Sequence, residues 1–453
     1  MDTMISEILC LVCSFLAIED VRRFRLCCRA FADAGARFAF REVVFYLHKD
    51  DLDMLRHISL HPIASKNVRS LVYVGHIMAM PKKSLDEFRN HCATIQEDAE
   101  YFAEEDNVPP PPKIRRLQLK RLYEKYEITM DQQKKILEDN EDITCIREVI
   151  SRFSSLREIT MSCRSQFWPD QSKTPFQGCL LNPNDELRPS GCRQLNSLLS
   201  AVFEADIKLR GLTAGIFSWR FFQNPLTEFK SSIHYYDNLT CLELCIDTGI
   251  TENSTNESHE VPECQQIIET GLLRDFIKSL SQLRTLHIAF TMDLREFGYY
   301  ARLEDVMEPK HKWAHLHSLS LDRIICERQD VKSMLRKHKD TLKELCLSDI
   351  YLRSSSWRVL LPKIRKAMNL DRADISGWLY GKDKDTLVEE CWDLQGPVKG
   401  YSLSDDTLSD DVLSDYTLGD KVNDYLVNDR IKRCPLTNRN TTIPFSMPMY
   451  GRF

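Results

Sequence analysis

Among the residues that could do chemistry, four cysteines near the start of the chain have the most suggestive spacing, that of a possible metal site. Cys10 and Cys13 form a C-x-x-C pair, and Cys27 and Cys28 follow in the same segment. Four thiolates at such spacing can hold a zinc ion. However, Cys10 and Cys13 lie in a run with helical periodicity, whereas zinc ligands this close need a turn between them. We therefore predict no metal site and interpret the four cysteines as small buried hydrophobic residues.

Other chemical motifs are weaker still. His57 and His61 are four residues apart and could share a helical face, but Pro62 ends that segment and no third ligand is nearby. The sequence contains no Gly-rich phosphate loop, no H-E-x-x-H and no G-x-S-x-G. We accordingly predict that the chain is not an enzyme and holds no cofactor. An enzyme with an unrecognised site stays an alternative.

The segment that carries these cysteines predicts three short helices. Apolar residues recur at helical spacing over residues 8–16 and again over residues 21–31, and residues 34–41 form a third short segment. Ser6 is a candidate N-cap, with Glu7 in the first turn. Three such helices cannot enclose a core that is stable on its own. We expect either another chain or the following domain to cover their apolar stripe.

Residues 4–31 resemble an F-box. The family pattern opens with Leu-Pro-x-Glu-Ile-Leu, closes its first helix with Ser-x-Leu, and continues with an Asp-Leu pair and Leu-Arg-x-Val-Cys-Lys-x-Phe. This chain has Glu7-Ile8-Leu9, Val12, Ser14-Phe15-Leu16, Asp20-Val21, Phe24-Arg25-Leu26-Cys27-Cys28-Arg29 and Phe31. Met4 and Ile5 stand where the family has Leu and Pro, so the entry contact departs from the pattern.

The resemblance implies docking on the Skp-type adaptor of Skp–cullin–F-box ubiquitin ligases. Carried over position by position, it assigns adaptor contact to seven residues: Ile5, Ile8, Leu9, Val12, Leu16, Val21 and Phe24. It also implies that the chain is a non-catalytic substrate receptor in the cytoplasm and/or nucleus. Such a receptor links a client protein to the adaptor and, through it, to the cullin.

A second pattern, apolar-x-x-apolar-x-apolar, recurs after this segment. Its copies begin at Val68, Leu156, Leu209, Leu239, Leu283, Leu316, Leu342 and Leu370. From Leu209 onward the starts are 30, 44, 33, 26 and 28 residues apart. Such copies at intervals of roughly 20 to 30 residues are typical of leucine-rich repeats, each a strand followed by a helix, which stack into a solenoid. The irregular spacing predicts a degenerate array.

The predicted fold is therefore α/β with three parts. Residues 1–45 form a three-helix F-box, and residues 46–396 form an irregular leucine-rich-repeat-like solenoid with helical insertions at about 75–155 and 164–193. Residues 334–345 and 355–357 resemble the repeat region of fungal F-box proteins. The tail, residues 397–453, contains four five-residue copies and has eight Asp against one Lys between Tyr401 and Asp429. A period of five fits neither helix nor strand, so we predict a flexible acidic tail.

The overall composition, 43% apolar and 28% charged, is that of a soluble globular chain. A net charge of −6 and a pI of about 6.1 give no signal for nucleic acid or an anionic membrane. The longest uncharged apolar run, residues 8–18, is shorter than a membrane span. The alternative of a secreted or endomembrane repeat glycoprotein rests on this run and on four sequons, at Asn238, Asn253, Asn256 and Asn440. Asp2 and Glu7 before the run, and the lack of an A-x-A site after it, argue against a signal peptide.

Overall fold

The computed structural model describes most of the chain. The described residues are 5–75, 77–78, 82–105, 109, 113, 115–162, 175–176, 190–223, 233–248, 260–291, 301–382, 388–395, 417–428, 432–437 and 441. They divide into two compact units, Met1–Ile207 and Lys208–Phe453. None of the described helices has both the length and the hydrophobicity that a membrane crossing requires.

The first unit begins with three short helices: α1 (Ser6–Ser14), α2 (Ile18–Phe24) and α3 (Arg29–Ala39). Both α1 and α2 pack against α3. Small residues on α3 allow the close approach, since a Cβ added to Gly35 would lie 2.4 Å from Cγ of Arg25. We call these three helices the helical unit. Its buried residues are Leu9, Cys13, Val21, Ala34, Gly35 and Ala36.

A parallel sheet follows in the same unit. Its strands are β1 (Glu42–Tyr46), β2 (Ser70–Val74) and β3 (Glu158–Ser162), paired in chain order. The helices between and after them are α4 (Lys49–Leu60), α5 (Ala64–Asn67), α6 (Leu85–Glu105), α7 (Arg116–Asp139), α8 (Glu141–Ile150) and α9 (Ser190–Glu204). Asn140, in the left-handed conformation with φ 52°, separates α7 from α8. The charged part of the first insertion therefore forms two helices.

The second unit contains strands β4 (Gly211–Ser218), β5 (Cys241–Asp247), β6 (Thr285–Thr291), β7 (Ala301–Arg302), β8 (Ser318–Asp322), β9 (Ile324–Cys326), β10 (Glu344–Leu352), β11 (Arg372–Lys382) and β12 (Glu389–Asp393). Strands β4, β5, β6, β8, β10 and β11 are parallel neighbours in that order, and β12 is antiparallel to β11. Its helices are α10 (Glu260–Glu269), α11 (Leu272–Ser279), α12 (Leu303–Val306), α13 (Arg328–Lys337), α14 (Trp357–Ala367) and α15 (Leu418–Val427).

Each copy of the recurring apolar pattern coincides with a strand, and the copies pair in register. In the second unit Leu242, Leu286, Leu319, Leu345 and Ala373 are consecutive partners. The residue that opens each copy, Val68 in the first and leucine in the others, is buried as well, as Leu283 and Leu316 illustrate. The carbonyl that follows it accepts backbone N–H groups from two residues of the next copy. The α/β class is thus confirmed, as an open sheet whose parallel strands follow chain order.

The acidic tail differs from its predicted flexibility at residues 417–428. Helix α15 lies there, and it opens with a capping box in which Thr417 and Asp420 bond each other's backbone N–H groups. Its buried residues are Leu418, Gly419, Val422, Tyr425 and Leu426, and the helix packs on β11. Apolar residues at helical spacing outweigh the acidic composition in this stretch, which forms a packed helix.

Several sequence features lie outside the described residues. These are residues 396–416 with the first three five-residue copies, residues 163–174 and 177–189 of the second insertion, most of the tetraproline, and the sequons at Asn253, Asn256 and Asn440.

A buried histidine, His338, connects two segments of the second unit through hydrogen bonds. The backbone N–H of Trp313 donates to Nε2 of His338 at 3.0 Å, and Nδ1 of the same ring lies 2.8 Å from the carbonyl oxygen of Met334. Nδ1 therefore carries the proton and Nε2 accepts, which defines a neutral ring. Burial, with smaller contributions from His311 and two lysines, lowers the pKa of His338.

We expect His338 to make the second unit sensitive to acid. The unfolded chain takes up a proton near pH 6.5, whereas the folded ring resists it, so stability is lost as the pH falls below about 6.5. The loss at pH 5.5 relative to pH 7.5 can reach at most about 1.4 kcal/mol, the contribution of an unfolded-state pKa near 6.5 when the folded ring stays neutral. Urea unfolding at both pH values, in the native chain and in His338→Gln, measures it. The other histidines are common to both chains, so an equal loss in the two would contradict this assignment.

Candidate functional site

Exposed large hydrophobic side chains are concentrated in the first helices. Seven of the seventeen such residues in the described chain lie between residues 5 and 26: Ile5, Ile8, Leu11, Val12, Phe15, Ile18 and Leu26. Phe15 is 81% exposed and Leu26 is 87% exposed. Single exposed apolar residues are ordinary, but a group of this kind is a candidate surface for binding a partner.

Helix α1 explains the group, because it has two apolar faces. Leu9 and Cys13, four residues apart, are buried where α1 packs on α3. Ile8, Val12 and Phe15, at spacings of four and three, share the adjacent stripe and remain exposed. We define the N-terminal apolar face by the residues of this exposed stripe, Ile5, Ile8, Leu11, Val12 and Phe15.

The seven residues assigned to adaptor contact fall into three groups in the structure. Ile5, Ile8 and Val12 are exposed on the N-terminal apolar face. Leu16 and Phe24 are half-buried, and the ring of Phe24 stacks on Phe31 with centroids 4.1 Å apart. Leu9 and Val21 are 3% and 1% exposed, inside the helical unit. These two are therefore placed where they hold the helices together.

Four exposed residues of the group were outside the predicted set. They are Leu11, Phe15, Ile18 and Leu26. For two of them the sequence held a signal, because Leu11 and Phe15 each follow a predicted contact residue by three positions. The family pattern assigns no adaptor contact to these positions, so the resemblance did not predict them.

The cysteines in this segment have different environments. Cys13 is buried, and its burial, together with the neighbouring Cys10, raises its pKa. Cys10 and Cys28 are half-buried and Cys27 is exposed, so the interpretation as buried hydrophobic residues does not hold for Cys27. Within the ranges that the structure describes, no three His, Cys, Asp or Glu side chains are grouped to hold a metal ion.

His57 and His61, the histidine pair considered above as metal ligands, are both exposed. Nδ1 of His61 accepts the backbone N–H of Ala64 at 3.1 Å, and so satisfies a donor at the start of α5. His57 lies in the last turn of α4, where it is exposed.

A second candidate surface lies on the strands of the second unit. Along β8, β10 and β11 apolar side chains are buried on one side, and polar side chains line a cleft of about 400 Å³ on the other. Three polar rows cross the strands in register. The middle row is Glu243, His287, Ser320, Cys346 and Asp374, and its neighbours are Thr285, Ser318, Glu344 and Arg372 on one side and Asp322, Ser348 and Ser376 on the other. We call these residues the polar strand face.

The polar strand face is acidic. Its four carboxylates are accompanied within the cleft by one guanidinium, that of Arg372, which lies 3.7 Å from Asp374. At the edge of the cleft, the guanidinium of Arg323 lies 3.3 Å from Asp322. Burial raises the pKa of Asp322 to about 6, although Arg323 beside it acts in the opposite sense. Burial also lowers the pKa of His287, with Glu243 opposing it. Sequence reasoning missed this surface because its acidic residues lie far apart along the chain.

No protein-family model matches this chain, and no curated protein matches it.

Proposed function

We propose that the chain is a substrate-receptor subunit of a Skp–cullin–F-box ubiquitin ligase. The observation that carries the proposal is the N-terminal apolar face, which leaves Ile8 and Phe15 exposed on a helix already packed on its other side. The same segment resembles an F-box in the order of its residues. The partner of this face is a Skp-type adaptor and, through it, the cullin.

The client would bind the second unit. We propose that its strands form a degenerate leucine-rich-repeat-like solenoid, which is supported by the buried leucine that opens each copy and by strand partners such as Leu319 and Leu345. A client on the polar strand face would be held close to a ubiquitin-conjugating enzyme. Transfer would be accelerated by proximity, with no catalytic group from this chain. Such a receptor works in the cytoplasm and/or nucleus.

Co-purification with the adaptor tests the proposal. We expect the full chain, mixed with a Skp-type adaptor, to elute from size-exclusion chromatography as a 1:1 complex with a mass equal to the sum of the two chains. Addition of the cullin–RING core, the activating and conjugating enzymes, ubiquitin and ATP should then ubiquitinate the chain itself. Separate elution of the two proteins at micromolar concentration would overturn the proposed function.

A further inference from the structure

The polar strand face is long enough to accommodate an extended peptide. Its middle row crosses five parallel strands from Glu243 to Asp374. Neighbouring strands lie about 4.8 Å apart, so the two carboxylates are separated by about 19 Å, the length of roughly six extended residues. A single small cation would occupy only part of such a row.

The charge on this face determines what it can accept. Glu243, Asp322, Glu344 and Asp374 are opposed by Arg372 alone within the cleft. Arg323, at the edge, is balanced between Asp322 and Asp349, with Nη–Oδ distances of 3.3 and 3.8 Å. The face therefore has a surplus of about three negative charges, and it repels phosphate backbones and anionic lipid.

The surroundings of Asp322 make its charge more effective than that of a fully exposed carboxylate. Asp322 has an exposed side-chain fraction of 22%, and this burial raises the pKa of its carboxyl group. Attraction between charges is stronger at partly buried positions than on an open surface, because water and salt screen it less. The carboxylates are too dispersed for a metal site, and no metal-binding group occurs here among the described residues.

We propose that the polar strand face binds an extended polypeptide segment rich in Lys and Arg. The long basic side chains reach the carboxylates of the rows, while the hydroxyl groups of Ser318, Ser320 and Ser348 offer hydrogen bonds to the peptide. As the identity of a client, this rests on the proposed function, but binding itself does not depend on the adaptor.

Peptide binding to the full chain tests this inference. We expect the fluorescence anisotropy of a fluorescein-labelled octapeptide of alternating Lys and Ser to increase when the chain is added at 100 mM salt. The anisotropy of the corresponding octapeptide with Glu in place of Lys should not change. The double variant Glu243→Gln/Asp374→Asn should weaken binding about tenfold, since each ion pair contributes a few tenths to one decade of affinity. Raising the salt concentration should weaken it further.

A matched pair of acidic residues provides the control. Asp86 and Glu138 are exposed on helices of the first unit, and Asp86→Asn/Glu138→Gln removes the same charge elsewhere. This control should bind the peptide as the native chain does. Equal binding of the acidic peptide, no binding of the basic one, or equal weakening by both double variants would overturn the inference.

The adaptor assay keeps the two proposals separate. Glu243→Gln/Asp374→Asn should still co-elute with the adaptor, which also shows that the variant is folded. A chain that binds the adaptor but not the peptide overturns only this inference, and one that binds the peptide but not the adaptor overturns only the proposed function.

Discussion

Replacement of Ile8 and Phe15 together by aspartate is expected to weaken binding of a Skp-type adaptor by more than about a hundredfold. Burial of each side chain beneath a partner contributes roughly 1.5–3 kcal/mol, and every 1.4 kcal/mol is a factor of ten in affinity. The two aspartates would in addition have to lose their water on binding. Both positions are exposed in the free chain, at 45% and 81%, so the fold should keep its stability.

Isothermal titration of the adaptor into the native chain and into Ile8→Asp/Phe15→Asp measures the effect, and thermal melting checks the fold. The control is Leu60→Asp/Val359→Asp, which charges two apolar residues that are 65% and 42% exposed and do not belong to the N-terminal apolar face. It should bind the adaptor normally. If the first variant also binds normally, the adaptor does not use this face.

Leu9→Asp would not discriminate in this way. Leu9 is 3% exposed, and a buried unpaired carboxylate would destabilise the helical unit whether or not an adaptor binds there. Loss of adaptor binding in that variant would therefore report unfolding.

The strands were predictable because each carries its own signal. The alternation of Leu319 and Leu321, or of Leu345 and Leu347, marks a face of a strand, and the leucine three positions earlier marks the turn into it. Strands β7 and β9 have two and three residues, too few for any period to appear. Helix α15 escaped notice because its apolar residues stand among aspartates.

The candidate surfaces were less predictable, because burial depends on the partners of an element. Periodicity identifies apolar residues on α1, but only the packing of α3 determines that Leu9 is covered and Phe15 is not. The small residues Ala34–Gly35–Ala36 permit that packing, and they have no distinctive pattern in the sequence. The polar strand face likewise depends on strand register, which brings together Glu243 and Asp374 from positions 131 residues apart.

Asp142→Ala is expected to destabilise the first unit by about 2–4 kcal/mol. The side chain of Asp142 is fully buried at the start of α8, where it accepts a hydrogen bond of 2.8 Å from the hydroxyl group of Tyr73 on β2. Both of its oxygens accept hydrogen bonds from the guanidinium of Arg193 on α9, with a distance of 2.8 Å between Nη2 and Oδ1. One carboxylate thus joins a strand and two helices. Its removal leaves a buried hydroxyl and a positive charge without their partner.

The cost should come mainly from the uncompensated charge of Arg193, which the double variant Asp142→Ala/Arg193→Met isolates. The guanidinium is 26% exposed and keeps a 3.1 Å contact with Asn140, so the expected loss lies below that of a fully buried ion pair. Because the double variant removes that charge, it should unfold at a higher urea concentration than Asp142→Ala alone, as followed by circular dichroism. If the losses of stability in Asp142→Ala and in the single variant Arg193→Met instead add up to that of the double variant, the residues are not coupled and the carboxylate stabilises the unit through Tyr73.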